Sequence, residues 1–284
     1  SDYGLDPEMI TGQGNVTFEI RRPMLEDVAV EDIGFDIRAD FTDVAMNTGL
    51  RDLVLSNGDI QLTATPQAVE VSGDAELAGA NTRIRWVETL GLPEGAASTA
   101  LDLEARLDAA ALDRLGVPLR RYLDGAIDVR IRTLGEAFAF DTVSLAADLL
   151  DARIEWPGGV FIKPEGEAAD AEAEMQFGDD GSVMIERFSM QADGLDAQAT
   201  ARFAADGRIL SAGISRLFLE NYIEASGAVE RPQGPDGPLA FMIEGPFFDA
   251  TGLLPSLTDF SGTGGAPPPL GLTVAFDEIQ VTNA

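Results

Sequence analysis

Few side chains in this sequence are equipped for covalent chemistry. The 284 residues contain no histidine and no cysteine. Without histidine the commonest general base and metal ligand is gone, and Ser-His-Asp and Cys-His machinery cannot be assembled. Without cysteine there are no disulfides, no thiolate nucleophile and no ordinary structural zinc site. The obvious carboxylate cluster is Asp179-Asp180-Gly181. Paired carboxylates can do acid/base work or hold calcium, but this tripeptide reads as a hairpin turn, and the calcium-loop pattern of spaced acids with a distal Glu is absent. Gly12-Gln13-Gly14 lacks the third glycine and following helix of a dinucleotide site. There is no Gly-Lys-Ser/Thr phosphate loop and no Gly-x-Ser-x-Gly elbow. Trp86 and Trp156 could stack a sugar or a headgroup, although packing is the more ordinary use of such rings. The expectation is a non-enzymatic chain with no cofactor and no metal.

Composition narrows the partners. Asp plus Glu number 49 against 19 Lys plus Arg, a formal net charge of −30. Lys163 is the only lysine. Such a surface repels phosphate backbones and anionic headgroups, so nucleic acid is not an expected partner, and contact with lipid must go through apolar groups. No run of about 18 apolar residues is present to cross a membrane as a helix. No signal peptide opens the chain, which starts abruptly at Ser1 and stops at Ala284, and it reads as an excised piece of a longer protein.

The elements that must position any site are strands. Phe35, Ile37, Ala39 and Phe41 alternate with Asp36, Arg38 and Asp40; Leu101, Leu103, Ala105 and Leu107 alternate with Asp102, Glu104 and Arg106. The same period of two runs through Val69–Leu77, Ile127–Ile131, Ala171–Phe177, Leu195–Phe203, Leu239–Ile243 and Leu270–Phe276. A strand collects such residues on one face, whereas a helix would scatter them. Asn57-Gly58, Asp180-Gly181, Asp206-Gly207 and Asp236-Gly237 suit tight turns between strands, and Ser182–Gly245 reads as an antiparallel meander. Roughly 16 to 18 strands are expected, too many for one open sheet unless it curls. Helix is expected over Asp108–Leu115, capped by Asp108 and stopped by Gly116 and Pro118, with a second short helix over Asp249–Leu257. Ser261–Pro269 reads as a Gly/Pro-rich loop. The fold class is therefore all-β with minor α: a long curled antiparallel sheet forming an elongated trough, with one or two short helices. Residues 1–27 read as an N-terminal strand or entry segment, 28–260 as repeated β units with a break near 108–125, and 261–284 as a loop and the start of a further unit. Arg83-Ile84-Arg85-Trp86 is echoed by Arg153-Ile154-Glu155-Trp156, and Leu107-Asp108-Ala109 by Phe248-Asp249-Ala250.

Three passages resemble the AsmA-like superfamily of Gram-negative envelope proteins, in particular its YhdP-type branch. Leu107–Val129 (LDAAALDRLGVPLRRYLDGAIDV) is similar to the short helix, Leu-Gly turn and Tyr-Leu-x-Gly of that group. Ala152–Gly166 (ARIEWPGGVFIKPEG) is similar to its strand ending in Trp before Lys-Pro-x-Gly, with extra residues between Trp156 and Lys163. Gly245–Leu254 (GPFFDATGLL) is similar to its unit ending. The resemblance covers residues from about Val28 to the end.

What the resemblance implies is a non-enzymatic segment of a periplasmic lipid conduit. An N-terminal helix outside this sequence would anchor it to the inner membrane. Its curled sheet would hold phospholipid acyl chains on the way to the outer membrane, continued by the rest of the same longer chain. Combined with the alternation, this nominates Phe35, Ile37, Phe41, Leu62, Val71, Leu101, Leu103, Ile127, Ile131, Phe203, Phe241 and Ile243 as the lipid-facing lining. The rival reading is a closed, dry β scaffold of the cell envelope. A further one is a carbohydrate- or calcium-binding β domain using Trp156 and the acidic turns.

Overall fold

The structure, a computed structural model, describes residues 10–24, 33–47, 53–93, 95–117, 119–136, 140–156, 159–178, 180–231, 237–251 and 270–281. The described residues are 72% strand and 3% helix, and the fold is an open, curled, largely antiparallel sheet with one short helix. Backbone contacts divide the chain into two units, Ser1–Leu145 and Ala146–Ala284. The division falls beyond 108–125, a stretch that lies inside the first unit.

The first unit contains β1 (Ile10–Arg21), β2 (Gly34–Asn47), β3 (Val54–Ala64), β4 (Ala68–Leu77), β5 (Ala80–Thr89), β6 (Thr99–Asp108), α1 (Ala109–Arg114) and β7 (Leu123–Gly135). The strands β1 to β7 pair antiparallel in chain order. β4 and β5 are joined by Ala78-Gly79, both at positive φ (53° and 74°), the conformation a two-residue hairpin demands. The helix is the expected one. The Asp108 side chain accepts a hydrogen bond from the Ala111 N–H at 2.7 Å. At its other end Gly116, at φ 84°, closes a Schellman motif in which Gly116 N donates to the Asp113 carbonyl and Val117 N to that of Leu112.

The strand β8 (Thr142–Asp148) spans the division. The second unit adds β9 (Ala152–Glu155), β10 (Ile162–Lys163), β11 (Ala169–Phe177), β12 (Val183–Ala192), β13 (Leu195–Phe203), β14 (Ile209–Leu219), β15 (Ile223–Glu230), β16 (Leu239–Asp249) and β17 (Leu270–Gln280). β9 and β10 form a hairpin, β11 to β16 an antiparallel meander, and β17 joins β16 in parallel. The Asp180-Gly181 and Asp206-Gly207 turns lie between strands as expected, with Asp180 and Asp206 accepting the N–H of Ser182 and Arg208.

Asn57-Gly58 is a correction to the sequence reading. It is not a hairpin but part of β3, where the pairing slips between Ser56 and Asp59. Asn57 sits at φ 52°, and the extra residue forms a β-bulge. Asp43 (φ 54°) marks a matching bulge on β2. These insertions keep Leu55 on the same face as Ile60 and Leu62, although its sequence parity differs. Asp249 ends β16 and does not start a helix; the rest of Asp249–Leu257 past Thr251 lies outside the described residues, as do Asp179, Asp236 and Ser261–Pro269.

Within each unit the main contacts run between strands adjacent in the sheet, and α1 packs on β6 and β7. Each unit is thus a single layer with one helix at one end of the first. At that end Leu107, Ala111, Leu112, Leu123 and Ile127 are all buried. Among the described residues the largest fully buried side chains are Lys163 and Thr99. A sandwich core would instead bury many Leu, Ile and Phe to that degree.

Candidate functional site: two open apolar faces

Residues opposite one another in a ladder share a face, so the pairings trace which side chains line up. In the first unit one row runs Val16–Ala39–Leu62–Val71–Trp86–Leu101–Thr133 across all seven strands. The next runs Gly14–Phe41–Ile60–Gly73–Ile84–Leu103–Ile131. Ile37 lies between Phe18 and Ala64 in a neighbouring row, and Phe35 faces Ile20. All nine nominated residues of this unit therefore share one face. Eight are half-buried; Ile127, opposite Leu107, is 6% exposed and belongs to the small closed core at the helix end.

The second unit repeats the arrangement. One row runs Met175–Ile185–Ala201–Ala212–Val229–Phe241–Leu272, and the next Ala173–Phe188–Ala199–Ile214–Gly227–Ile243–Val274. Phe203 extends the face, opposite Val183 and Ile209. Phe203, Phe241 and Ile243 are half-buried. Side-chain size alternates from strand to strand. Ala169, Ala171 and Ala173 line β11 and Ala197, Ala199 and Ala201 line β13. Between and beyond them stand Phe188 and Met190 on β12, Ile214 and Leu217 on β14, and Phe241 and Ile243 on β16. Ridges two strands apart, about 9.6 Å, enclose furrows floored by alanine.

Sequence reasoning missed several members of these faces. Ile60, Ile84, Trp86, Phe188 and Ile214 stand in the same rows as the nominated residues, and Val16, Phe18 and Ile20 are 61%, 57% and 57% exposed on β1. Parity along each strand would have found them once the bulges were placed. Trp156 does not join either row; its ring packs at 58° to Phe161 with centroids 5.5 Å apart. Among the described residues no group of three or more acidic side chains is arranged to hold a metal.

Polar intrusions are few. Thr99 donates its hydroxyl to the Glu88 carboxylate, and both are buried, 0% and 4% exposed. They occupy the row beyond Trp86 and Leu101, at the margin of the face opposite the helix. Lys163 is 2% exposed, with Nζ donating to the carbonyls of Ala152 (2.6 Å), Pro164 (3.0 Å) and Leu150 (3.4 Å). Burial pushes its ammonium pKa down. The sole lysine thus ties the hairpin together and offers no exposed cation.

The opposite faces carry the charge. Arg130–Glu104 (3.0 Å), Arg132–Asp102 (2.7 Å), Arg85–Glu70 (2.8 Å) and Arg187–Glu174 (2.6 Å) pair across neighbouring strands. Each exposed pair contributes at most about 1 kcal/mol. Their larger effect is on register, since a slip by one residue would turn these charges onto the apolar face. The side chains of the four rows carry no charge, and Thr133 supplies their one hydroxyl. No protein family, curated protein or solved structure compared with the chain matches it.

Proposed function

We propose that the chain is a non-enzymatic segment of an AsmA-like lipid conduit in the periplasm of a Gram-negative cell. It holds phospholipid acyl chains against its apolar β faces for transport between the inner and outer membranes. Anchoring to the inner membrane belongs to a part of the longer protein not contained in this sequence. The observation that carries the reading is the pair of seven-strand apolar faces, half-buried even on their central strands, where Leu101, Leu103 and Ile214 stand. An apolar surface of this extent left partly in water is a liability unless something apolar rests on it.

The physical chemistry suits transfer. A buried methylene contributes about 0.8 kcal/mol, so a roughly sixteen-carbon tail in half contact gains on the order of 6 kcal/mol. That holds a tail without trapping it, and because dispersion contacts lack direction the tail can slide. Furrows along the strands of the second unit are wide enough for a single hydrocarbon chain. The net charge of −30 keeps an otherwise sticky surface soluble and repels anionic headgroups from the outer face. One feature favours the rival closed scaffold: the end of the first unit under α1 is already a sealed core. Mass spectrometry of organic extracts of the purified chain separates the two. Co-purified phospholipid at near-stoichiometric amounts is expected; extracts free of lipid would favour the scaffold.

A further inference from the structure

The second unit has a register irregularity on every second strand. On β12, three residues from Ile185 to Phe188 span what two span on β13; on β14, Ile214 to Leu217 does the same against β15. On β16, Glu244 to Phe247 matches Glu224 to Ser226 of β15. Each strand carries an extra residue here, a β-bulge (β14 has a second one opposite Arg202 and Phe203), and the pairings put three at one level: the β12 bulge faces Ala199 and Ala201, the β14 bulge faces Gln198 and Ala199, and the β16 bulge faces Ala225. The bulges begin at Ile185, Ile214 and Glu244, spaced 29 and 30 residues apart.

Two independent features follow the same line. A Cβ on Gly245 would lie 2.1 Å from the Glu224 carbonyl oxygen, and one on Gly227 would lie 2.4 Å from that of Met242. Backbones of neighbouring strands approach here closer than any side chain permits. Open depressions of about 580, 420 and 320 Å³ flank the bulges, lined by Arg216, Ser226 and Glu244 at one end and by Glu186 and Thr200 at the other. By contrast β4 to β7 of the first unit pair without any shift.

A bulge interrupts the ladder, bends its strand and concentrates twist. Three at one level, with space behind them, make a line across which the sheet is least constrained. We infer that this line is a hinge crease, on which the two halves of the second unit's apolar face change their angle to fit an apolar ligand. The use of the crease rests on the lipid reading; its flexibility does not.

The chain has no cysteine, so two introduced ones can be spin-labelled uniquely. Asp170→Cys with Glu230→Cys places labels on exposed outer-face positions on opposite sides of the crease. Asn81→Cys with Leu134→Cys spans the unshifted strands β5 to β7 as the control. Pulsed dipolar spectroscopy is expected to give a distance distribution about twice as wide for the crease pair, since the bulges loosen its ladder. Adding dihexanoylphosphatidylcholine should then narrow or shift it and leave the control unchanged. A crease pair as narrow as the control overturns the hinge. A wide distribution that stays unchanged while calorimetry reports bound lipid overturns its coupling to cargo. Absence of lipid binding would count against the functional reading, while the ligand-free widths still decide the hinge.

Discussion

Replacing Leu103 by Asp distinguishes an open face from a core. Leu103 is half-buried between Ile84 and Ile131. Full burial of a leucine is worth about 1.5–3 kcal/mol, and Leu103, mostly but not fully covered, realises roughly 1–2 kcal/mol of it. The poor fit of Asp to a strand adds up to about 1 kcal/mol more. Because the new carboxylate can reach water, the total should be about 2–3 kcal/mol, within the 5–15 kcal/mol stability of an ordinary domain. Leu107, four residues farther along β6 on the same face, is 6% exposed beneath the helix end. There Leu→Asp leaves both a cavity and an unpaired buried charge, upward of about 4 kcal/mol. Urea unfolding followed by circular dichroism and tryptophan fluorescence should show L103D folded with a modestly lowered midpoint, and L107D largely unfolded. L103D should also lose co-purified phospholipid. Equal losses of stability at the two positions would refute the open face and make Leu103 a core residue.

Ala199→Phe fills a furrow of the second unit; on an open face the ring should cost less than the roughly 1–3 kcal/mol of overpacking a closed core while cutting bound lipid, as thermal melts and lipid extraction would report. Gly245→Ala puts a Cβ 2.1 Å from the Glu224 carbonyl oxygen and should destabilise by about 1–3 kcal/mol in urea titration, and a neutral outcome would mean that the crease yields readily. Asp180 is held below the usual carboxyl range by the hydroxyl and then the N–H of Ser182, and Asp206 chiefly by the N–H of Arg208. Their folded pKa values lie below the unfolded ones, so the stabilisation is full above the ordinary value near 3.8 and is lost as pH falls through the folded values. Amide exchange in these two turns should accelerate over that interval, and Asp206→Asn should remove the effect at its own turn.

The apolar faces were legible because burial on one side leaves a period of two that no other element produces. Phe41, Leu62, Val71, Leu101 and Ile131, nominated strand by strand from sequence, occupy two adjacent rows of one sheet. The helix was legible because Asp108 and Gly116 are chemically suited to its two ends. Bulges were not legible. Asn57-Gly58 has the residue types of a hairpin turn, and only the change of parity between Leu55 and Ile60 marks it as an insertion within a strand. Ile127 has the same alternating neighbours as Ile131; what separates them is a helix folding back over one end, a tertiary event that local periodicity does not encode. The tetrapeptide echo of Trp86 at Trp156 links unlike places, a row of the open face and a hairpin edge. The spacing that has structural meaning is that of the bulges, which begin at Ile185, Ile214 and Glu244 on alternate strands of the meander.

The most direct measurement of the central claim is site-specific photo-crosslinking in the periplasm of a Gram-negative host. A benzophenone side chain is placed at Leu103 or Phe241 on the apolar faces, or at Arg130 or Arg187 on the charged faces. Phospholipid adducts, identified by mass spectrometry, should form at Leu103 and Phe241 and be absent at Arg130 and Arg187. Adducts at all four positions alike, or at none of them, would contradict the account.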